Sequence, residues 1–185
     1  RKINSTGAWK KIISVNDMVT NYFAKDNKLF LLSKKNAPNG KVLMMNTDRP
    51  DIVKATVLIQ EKSIPIQSEI SQSKNFLLIP YMKNGVLMNH QMIDMRTNKI
   101  SKIPFPENTN LMYVTPFNMN NDDVHIVRMG WTTPNSYTYS NLDKPFAKEK
   151  RFSFRKDAGY PFTNEIAVDE IEIPGHDGVM IPILA

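Results

Sequence analysis

Proline is spread along this chain at short intervals, and this spacing limits what the chain can fold into. The twelve prolines are Pro38, Pro50, Pro65, Pro80, Pro104, Pro106, Pro116, Pro134, Pro145, Pro161, Pro174 and Pro182. A proline inside an α-helix removes a backbone hydrogen bond and clashes with the preceding turn. No window of roughly eleven residues shows the apolar recurrence of an amphipathic helix. The sequence therefore predicts a fold that is nearly all β.

Short apolar runs rich in Val, Ile, Leu, Phe, Tyr and Met alternate with polar clusters, a pattern typical of strands joined by turns. The Asn-Gly pairs at 39–40 and 84–85 and the Asp-Asp pair at 122–123 indicate turns. The predicted strands are Trp9–Ile13, Met18–Phe23, Lys28–Ser33, Val42–Asn46, Ala55–Gln60, Ile66–Gln72, Phe76–Met82, Leu87–Asp94, Lys99–Phe105, Met112–Asn118, Val124–Trp131, Ser136–Ser140 and Phe146–Phe152.

Most of these strands fall into three groups of four: Asp17–Gln60, Ile64–Phe105 and Asn110–Phe154. Each group spans roughly 40–45 residues, which is the spacing of β-propeller blades. In each group the second run is the most apolar, as in Leu29–Leu32 of the first group. The pattern predicts a partial β-propeller of about three four-stranded antiparallel blades, and a single antiparallel sandwich is the alternative.

The character of the chain changes after Phe154. Residues 155–167 are mainly polar and contain Gly and Pro, as a connector does. Val168–Pro174 and Val179–Leu184 are predicted strands on either side of a turn at 175–178. This hairpin belongs to no fourth group of strands. We therefore expect blades over residues 1–154, a connector over 155–167 and the start of another domain over 168–185.

The terminal segment EIEIPGHDGVMIPILA resembles the junction between the propeller and the hydrolase domain in the prolyl oligopeptidase family of serine peptidases. In that family a strand ends in a short turn, and an Asp-Gly pair precedes an apolar strand with an Ile-Pro or Val-Pro pair. The matching residues are Asp177, Gly178, Ile181 and Pro182. The resemblance implies a structural role for all four at the domain junction.

Three other segments resemble the same family in the same order. Trp9–Ile13 is similar to the outer strand that closes a preceding blade. Lys28–Met45 resembles a blade segment with an Asn-Ala-Pro turn, and Trp131–Asp143 resembles the hairpin of the last blade. The resemblance extends from about Trp9 to Leu184.

The resemblance implies a longer parent with a seven-bladed propeller, of which this chain holds roughly the last three blades. It also implies that residues 168–185 begin an α/β-hydrolase domain. The propeller of such an enzyme covers the active site and admits only short peptides. The family's catalytic serine lies in a G-x-S-x-G motif, which this sequence lacks. We therefore expect no catalytic residue in this chain and no peptidase activity from the chain alone.

Other chemistries find little support in the sequence. The absence of cysteine excludes disulfide scaffolds, zinc ribbons and cysteine nucleophiles. The histidines His90, His125 and His176 lack metal-ligand spacing and are interpreted as structural or surface residues. The seven glycines form neither a dinucleotide-binding motif nor a phosphate-binding loop. We expect no metal ion and no cofactor.

The net charge of +6 raises the question of nucleic-acid binding. Most of the basic residues are lysines in predicted turns, whereas base readout favours arginine, so no nucleic-acid partner is expected. The longest apolar run, Phe76–Met82, is too short to cross a membrane, and we expect no membrane partner. The expected partners are the catalytic domain of the parent, short peptides and, for the isolated chain, a second copy of itself.

The eleven methionines and Trp131 are interpreted as packing residues of the blades. The alternatives are an adaptable peptide-binding surface for the methionines and a ligand contact for Trp131. Two functions stay open. The first is a non-catalytic propeller segment that gates and size-selects peptides for a prolyl oligopeptidase-like endopeptidase. The alternative is a stand-alone β-repeat module for protein interaction. We expect a cytoplasmic location for the parent, with the periplasm as the alternative.

Overall fold

The computed structural model describes residues 9–67, 70–106, 109–143, 149–152 and 165–184. Within these ranges the regular secondary structure consists of β-strands and two short 3₁₀ turns, Val15–Asp17 and Ile52–Lys54. The prediction of a nearly all-β fold is confirmed. No helix among the described residues has the length and apolar character needed to span a membrane.

The first blade is a four-stranded antiparallel sheet in a compact unit that ends at Ile70. Its strands lie in chain order: β1 (Val19–Lys25), β2 (Lys28–Ser33), β3 (Lys41–Asn46) and β4 (Thr56–Ile59). In β2 the side chains of Phe30 and Leu31 point to opposite faces, and they are only 1% and 0% exposed. Because β2 is buried on both faces, it is a continuous apolar run and not an alternating one.

A second compact unit begins at Ser71 and contains two further blades. The strands of the second blade are β5 (Ser71–Gln72), β6 (Phe76–Lys83), β7 (Leu87–Asp94) and β8 (Ile100–Lys102). Those of the third blade are β9 (Leu111–Pro116), β10 (Asp123–Met129), β11 (Ser136–Asn141) and β12 (Lys150–Arg151). Neighbouring strands within each blade are antiparallel. The predicted grouping into four-stranded blades is confirmed.

The second and third blades pack against each other through an apolar core. It consists of Phe76, Leu78, Ile103, Met112, Val114, Val124, Ile126 and Leu142. Burial of each large side chain contributes about 1.5–3 kcal/mol. A single parallel pair, Met88 with Leu111, also joins the blades, and the Met88 N–H donates to the Asn110 carbonyl oxygen over 2.8 Å. Met112 and Met88 are 0% and 4% exposed, as expected for methionines that fill space between blades.

The other face of the third blade is aromatic. The strand register places His125 beside Tyr139, and Val127 beside Tyr113 and Tyr137, on the face opposite Val124 and Ile126. Phe117, which lies beside His125, is 52% exposed. The third blade thus has one face buried against the second blade and one face carrying partly exposed rings.

A buried carboxylate ties the second blade to the third. Asp122 is 6% exposed and precedes β10. Its Oδ1 accepts hydrogen bonds from Ser73 Oγ at 2.7 Å and from the Asn75 N–H at 2.8 Å. Its Oδ2 accepts one from Asn75 Nδ2 at 2.7 Å. The carboxylate therefore accepts from three donors of the β5–β6 turn, of which the Ser73 hydroxyl is buried and the two of Asn75 are part-buried.

A proline occupies the interior of β6, where a backbone donor is normally needed. Pro80 pairs with His90 of β7, and the pairs between β5 and β6 are formed by Leu77 and Leu78. Pro80 thus lies two residues beyond the pairs that β5 makes. Its missing N–H is tolerated because a strand accepts proline where it does not need to donate to a neighbour.

The predicted outer strand Trp9–Ile13 is wrong, because this segment is irregular. No neighbouring strand among the described residues pairs with it. Ile13 packs instead against the first-blade cluster of Leu31, Leu43 and Met45.

Other predicted strands differ in their bounds. Of Ile66–Gln72, residues 68–69 lie outside the described residues, and Ser71–Gln72 forms β5. Ala55–Gln60 is reduced to Thr56–Ile59, and Lys99–Phe105 to Ile100–Lys102. Pro104 and Pro106 follow the latter strand and cannot donate to a ladder. Of the predicted strand 146–152, residues 146–148 lie outside the described residues, and Lys150–Arg151 forms β12.

We predict that Asp122→Ala lowers the free energy of unfolding by about 3 kcal/mol, because it removes the acceptor of the buried Ser73 hydroxyl and of two part-buried donors of Asn75. Urea denaturation of the two proteins measures the difference. The matched control is Asp143→Ala, since Asp143 is 46% exposed and pairs with Arg96 at 2.7 Å. That change is expected to cost less than about 1 kcal/mol. Equal losses in the two variants would contradict the anchoring role.

Candidate functional site

The predicted terminal hairpin is present. Strands β13 (Glu170–Pro174) and β14 (Met180–Leu184) form a two-stranded antiparallel sheet. Ile173 pairs with Ile181, and Glu172 pairs with Pro182. Pro182 is accommodated because each strand of a two-stranded sheet is an edge strand with one side free of ladder bonds.

The four residues predicted at the junction take two separate positions in this hairpin. Asp177 and Gly178 lie in its turn, where Asp177 Oδ1 accepts from the Val179 N–H at 3.1 Å. Gly178 adopts a φ of 78°, which favours glycine, and its N–H donates to the Gly175 carbonyl oxygen at 3.0 Å. Ile181 and Pro182 follow in β14, where successive side chains point to opposite faces.

The hairpin has one face that consists of isoleucines. Its register places Ile171, Ile173, Ile181 and Ile183 together on that face, whereas the other face is mixed and carries Glu170, Glu172, Pro174, Met180 and Pro182. The first three isoleucines are 44%, 43% and 47% exposed. An isolated two-stranded hairpin is at best marginally stable in water, so this face requires a packing partner.

The start of β13 is held against the second blade by a small polar contact. Asn84 Nδ2, in the β6–β7 turn, donates to Glu170 Oε1 at 3.0 Å. Lys83 Nζ lies 3.9 Å from the same oxygen. This contact joins residues 86 positions apart and was not foreseen from the sequence, in which Asn84 indicates only a turn.

A groove of about 390 Å³ lies beside this contact, which contributes Glu170 to its wall. Its lining consists of Val86, Leu87, Asn110, Trp131, Thr132, Ile166, Val168 and Glu170. Trp131 is 49% exposed, and its backbone N–H donates to Asn110 Oδ1 at 3.1 Å. The interpretation of Trp131 as a packing residue inside a blade is therefore wrong. Its indole lines an accessible surface.

The three histidines lie in three different environments. His90 in β7 is 5% exposed, and burial lowers its pKa from 6.5 to about 4. His125 is partly buried, with ring centroids of Phe117, Tyr137 and Phe152 at 6.5, 6.1 and 5.3 Å. His176 is exposed in the hairpin turn. Among the described residues, no group of three His, Asp or Glu side chains could hold a metal ion.

Successive four-stranded antiparallel sheets with a repeat of roughly 40–45 residues define the class of the fold as a β-propeller. The family model of the prolyl oligopeptidase N-terminal β-propeller domain matches residues 2–151. The chain belongs to the prolyl oligopeptidase family, and the resemblance inferred from the sequence is confirmed.

Solved structures show the same fold. Oligopeptidase B from Trypanosoma brucei with covalently bound antipain is 18% identical, with a TM-score of 0.70. A structure from a study of two prolyl endopeptidases is 16% identical, also with a TM-score of 0.70. Prolyl oligopeptidase B from Galerina marginata, bound to a 35mer hydrolysis and macrocyclization substrate, is 12% identical with a TM-score of 0.69.

These structures are much longer than the chain. Each match covers 89% of this chain. It covers only 24% of the oligopeptidase B chain, 23% of the prolyl endopeptidase chain and 22% of the prolyl oligopeptidase B chain. The chain therefore spans less than a quarter of the length of these relatives. A search of curated proteins by sequence finds no match.

Because His90 is buried, we predict that the free energy of unfolding decreases in mildly acidic solution. Its pKa of about 4 in the folded chain lies below the 6.5 of the unfolded chain, so the unfolded state takes up the proton first. We expect the free energy of unfolding to fall by roughly 3 kcal/mol as the pH falls through this range. Urea denaturation between pH 7 and pH 4 measures the slope.

His90→Gln is expected to lose this pH dependence, whatever its stability at neutral pH. His176→Gln is the control, because it makes the same substitution at a histidine that is exposed in the hairpin turn. An undiminished slope in His90→Gln would show that other groups cause the acid sensitivity.

Proposed function

We propose that the chain is a non-catalytic propeller segment of a prolyl oligopeptidase-like serine endopeptidase. The observation that carries the proposal is the match of the family's propeller model to residues 2–151. In this proposal the propeller gates and size-selects short peptides for a catalytic domain in the same parent chain. No member of the catalytic triad comes from the residues of this chain.

The terminal hairpin supports a junction with another domain. We propose that residues 155–167 are the connector and that 168–185, with Asp177, Gly178, Ile181 and Pro182, begin the α/β-hydrolase domain. The apolar face with Ile173 and Ile181 needs a packing partner, and a neighbouring strand or helix of that domain would cover it. The Asp-Gly turn fixes the direction in which β14 leaves the hairpin.

Gating by size requires a rigid frame. The apolar core between the second and third blades and the buried Asp122 oppose their separation. An opening framed by such blades admits an extended peptide and rejects a folded domain, which is several times wider. In two prolyl endopeptidases, inter-domain dynamics has a role in catalysis and specificity. We propose that access in the parent of this chain likewise depends on movement at the junction.

We predict that the purified 185-residue chain neither hydrolyses a proline-linked chromogenic peptide nor reacts with a fluorophosphonate probe, because it has no G-x-S-x-G motif. Mass spectrometry after probe treatment detects any labelled serine. Stoichiometric labelling would contradict the proposal that catalysis depends on another domain.

The DNA that follows the Ala185 codon gives the complementary test. We expect an open frame that reaches a G-x-S-x-G motif within about 150–200 residues. The protein from that frame should cleave short peptides and spare folded proteins, and its motif Ser→Ala variant is the inactive control. An immediate stop codon would favour the alternative, a stand-alone β-repeat interaction module.

The uncovered blade faces predict self-association of the isolated chain. Blades are stabilised by their neighbours, and the aromatic face of the third blade carries partly exposed rings. We expect sedimentation velocity to show concentration-dependent association. Phe117→Ser combined with Tyr137→Ser should weaken it.

The control for this test is Ile100→Ser, which removes a 40% exposed apolar side chain from the outer strand of the second blade. Association should be unchanged in that variant. A monomeric chain with a cooperative, high-temperature unfolding transition would contradict the prediction and favour the stand-alone module.

We propose a cytoplasmic location for the parent, with the periplasm as the alternative. Fractionation of cells that express the natural protein distinguishes the two compartments.

A further inference from the structure

We infer that the pair Asn84 and Gly85 is a site of spontaneous deamidation, which converts the side-chain amide in contact with Glu170 into a carboxylate. The chain contains a second Asn-Gly pair, Asn39 and Gly40, and the surroundings of that pair protect it from the same reaction. The reaction needs only the chain and water, so it does not depend on the proposed function.

Deamidation begins when the Gly85 amide nitrogen attacks the Cγ atom of Asn84. The N–Cγ bond forms and the Cγ–Nδ2 bond breaks, and Nδ2 leaves as ammonia with the proton of the Gly85 N–H. Water then hydrolyses the resulting cyclic succinimide. Cleavage of the new N–Cγ bond leaves an aspartate at position 84, and cleavage of the original peptide bond leaves an isoaspartate. Glycine favours the attack because it has no Cβ that hinders the approach of its nitrogen.

The surroundings of Asn84 and Gly85 leave room for this attack. Both residues are exposed in the turn between β6 and β7, and a Cβ at Gly85 would meet no heavy atom within 4 Å. The Val86 N–H closes the turn on the Lys83 carbonyl oxygen at 3.0 Å, and Asn84 Nδ2 donates to Glu170 Oε1 at 3.0 Å. The turn must open before the nitrogen reaches Cγ, and both contacts lie at the surface, where water replaces a partner that leaves.

The surroundings of Asn39 hold both its backbone and its side chain. Its N–H donates to Glu61 Oε1 at 2.7 Å, and its carbonyl oxygen accepts from the Ile66 N–H at 2.8 Å. Its Nδ2 donates to the carbonyl oxygens of Lys62 at 2.9 Å and Ser63 at 3.4 Å. A rotation that brings the Asn39 side chain to the next residue would break these contacts together.

The attacking residue of the protected pair is also enclosed. Gly40 is buried, and a Cβ at this position would lie 3.2 Å from Leu32 Cδ1. Its N–H donates to the Ala37 carbonyl oxygen at 2.8 Å, so the attacking nitrogen is itself held in a hydrogen bond. Reaction at Asn39 therefore requires a local opening of the first blade, whereas reaction at Asn84 requires the opening of an exposed turn.

Deamidation at position 84 changes the contact between the second blade and the terminal hairpin. Glu170 Oε1 accepts from Asn84 Nδ2 and lies 3.9 Å from Lys83 Nζ. A carboxylate at position 84 has no N–H to donate and repels Glu170, so the hydrogen bond is lost. An isoaspartate also adds a backbone atom to the turn. The modification therefore loosens the start of β13 from the turn between β6 and β7.

The rates of deamidation at the two pairs of one protein provide the test. The 185-residue chain is kept for several days at neutral pH, folded or in concentrated urea, and peptide mapping by mass spectrometry measures the conversion of each asparagine. In the folded chain we expect Asn84 to react at least about tenfold faster than Asn39, because Asn39 needs the more costly opening. In urea the two rates should be similar, because no fold protects either pair.

A pair of variants tests the effect on the hairpin. Asn84→Asp reproduces one product of the reaction, and we expect hydrogen–deuterium exchange in β13 and β14 to become about threefold faster. The control is Asn36→Asp, which makes the same change at another exposed residue with a positive φ of 51° and should leave this exchange unchanged. Far-UV circular dichroism verifies that the chain and both variants are folded.

Equal rates at Asn39 and Asn84 in the folded chain, or a faster reaction at Asn39, would overturn the assignment of the site. A large difference that persists in urea would show that the local sequence, and not the fold, sets the rates. Unchanged exchange in Asn84→Asp, or an equal increase in Asn36→Asp, would refute the loosening of the hairpin. None of these measurements involves peptide hydrolysis, so a failure of the proposed function would leave them intact.

Discussion

A four-stranded blade has two faces, and its short strands are stable only when neighbours cover both. In β2, adjacent residues such as Phe30 and Leu31 are almost fully buried although they point in opposite directions. The core between the second and third blades shows how that burial is achieved in one of the units. The apolar central strands, the cross-blade hydrogen bonds and the partly exposed rings of the third blade all follow from this requirement.

The polar contacts that join distant segments of this chain differ in their exposure to solvent. Asp122 is buried, and its oxygens accept from the buried Ser73 hydroxyl and from part-buried donors of Asn75. Glu170 makes a similar number of contacts at an exposed site, where water replaces any partner that leaves. Asp122 thus joins the second and third blades through hydrogen bonds that are buried or part-buried, whereas Glu170 joins the hairpin to the second blade through contacts that are open to solvent.

Local features of this fold could be predicted from the sequence because they depend on neighbours in the chain. The apolar run Leu29–Leu32 identified a central strand, and Asn84–Gly85 identified a tight turn. Contacts between distant residues could not be predicted. Asp122 has the signature of a polar turn, but its partner Ser73 lies 49 residues away.

The same limit applies to the site. Trp131 has the sequence pattern of a packing aromatic, and the partner of Glu170 is 86 residues distant. Trp9–Ile13 has the composition of a strand, yet the segment is irregular and its Ile13 packs against the first-blade cluster. The terminal hairpin was predicted because its turn and its alternation are both local.

Pro80 has a consequence for how this chain avoids unwanted partners. The segment Phe76–Tyr81 combines high β-propensity with low charge, which is the composition of strands that recruit other chains. An incoming strand that extends the β5 side of β6 would meet a residue with no N–H to offer. Pro80 therefore makes β6, the most apolar strand of the chain, a poor template for aggregation. The effect applies during folding, before the neighbouring strands have paired with β6.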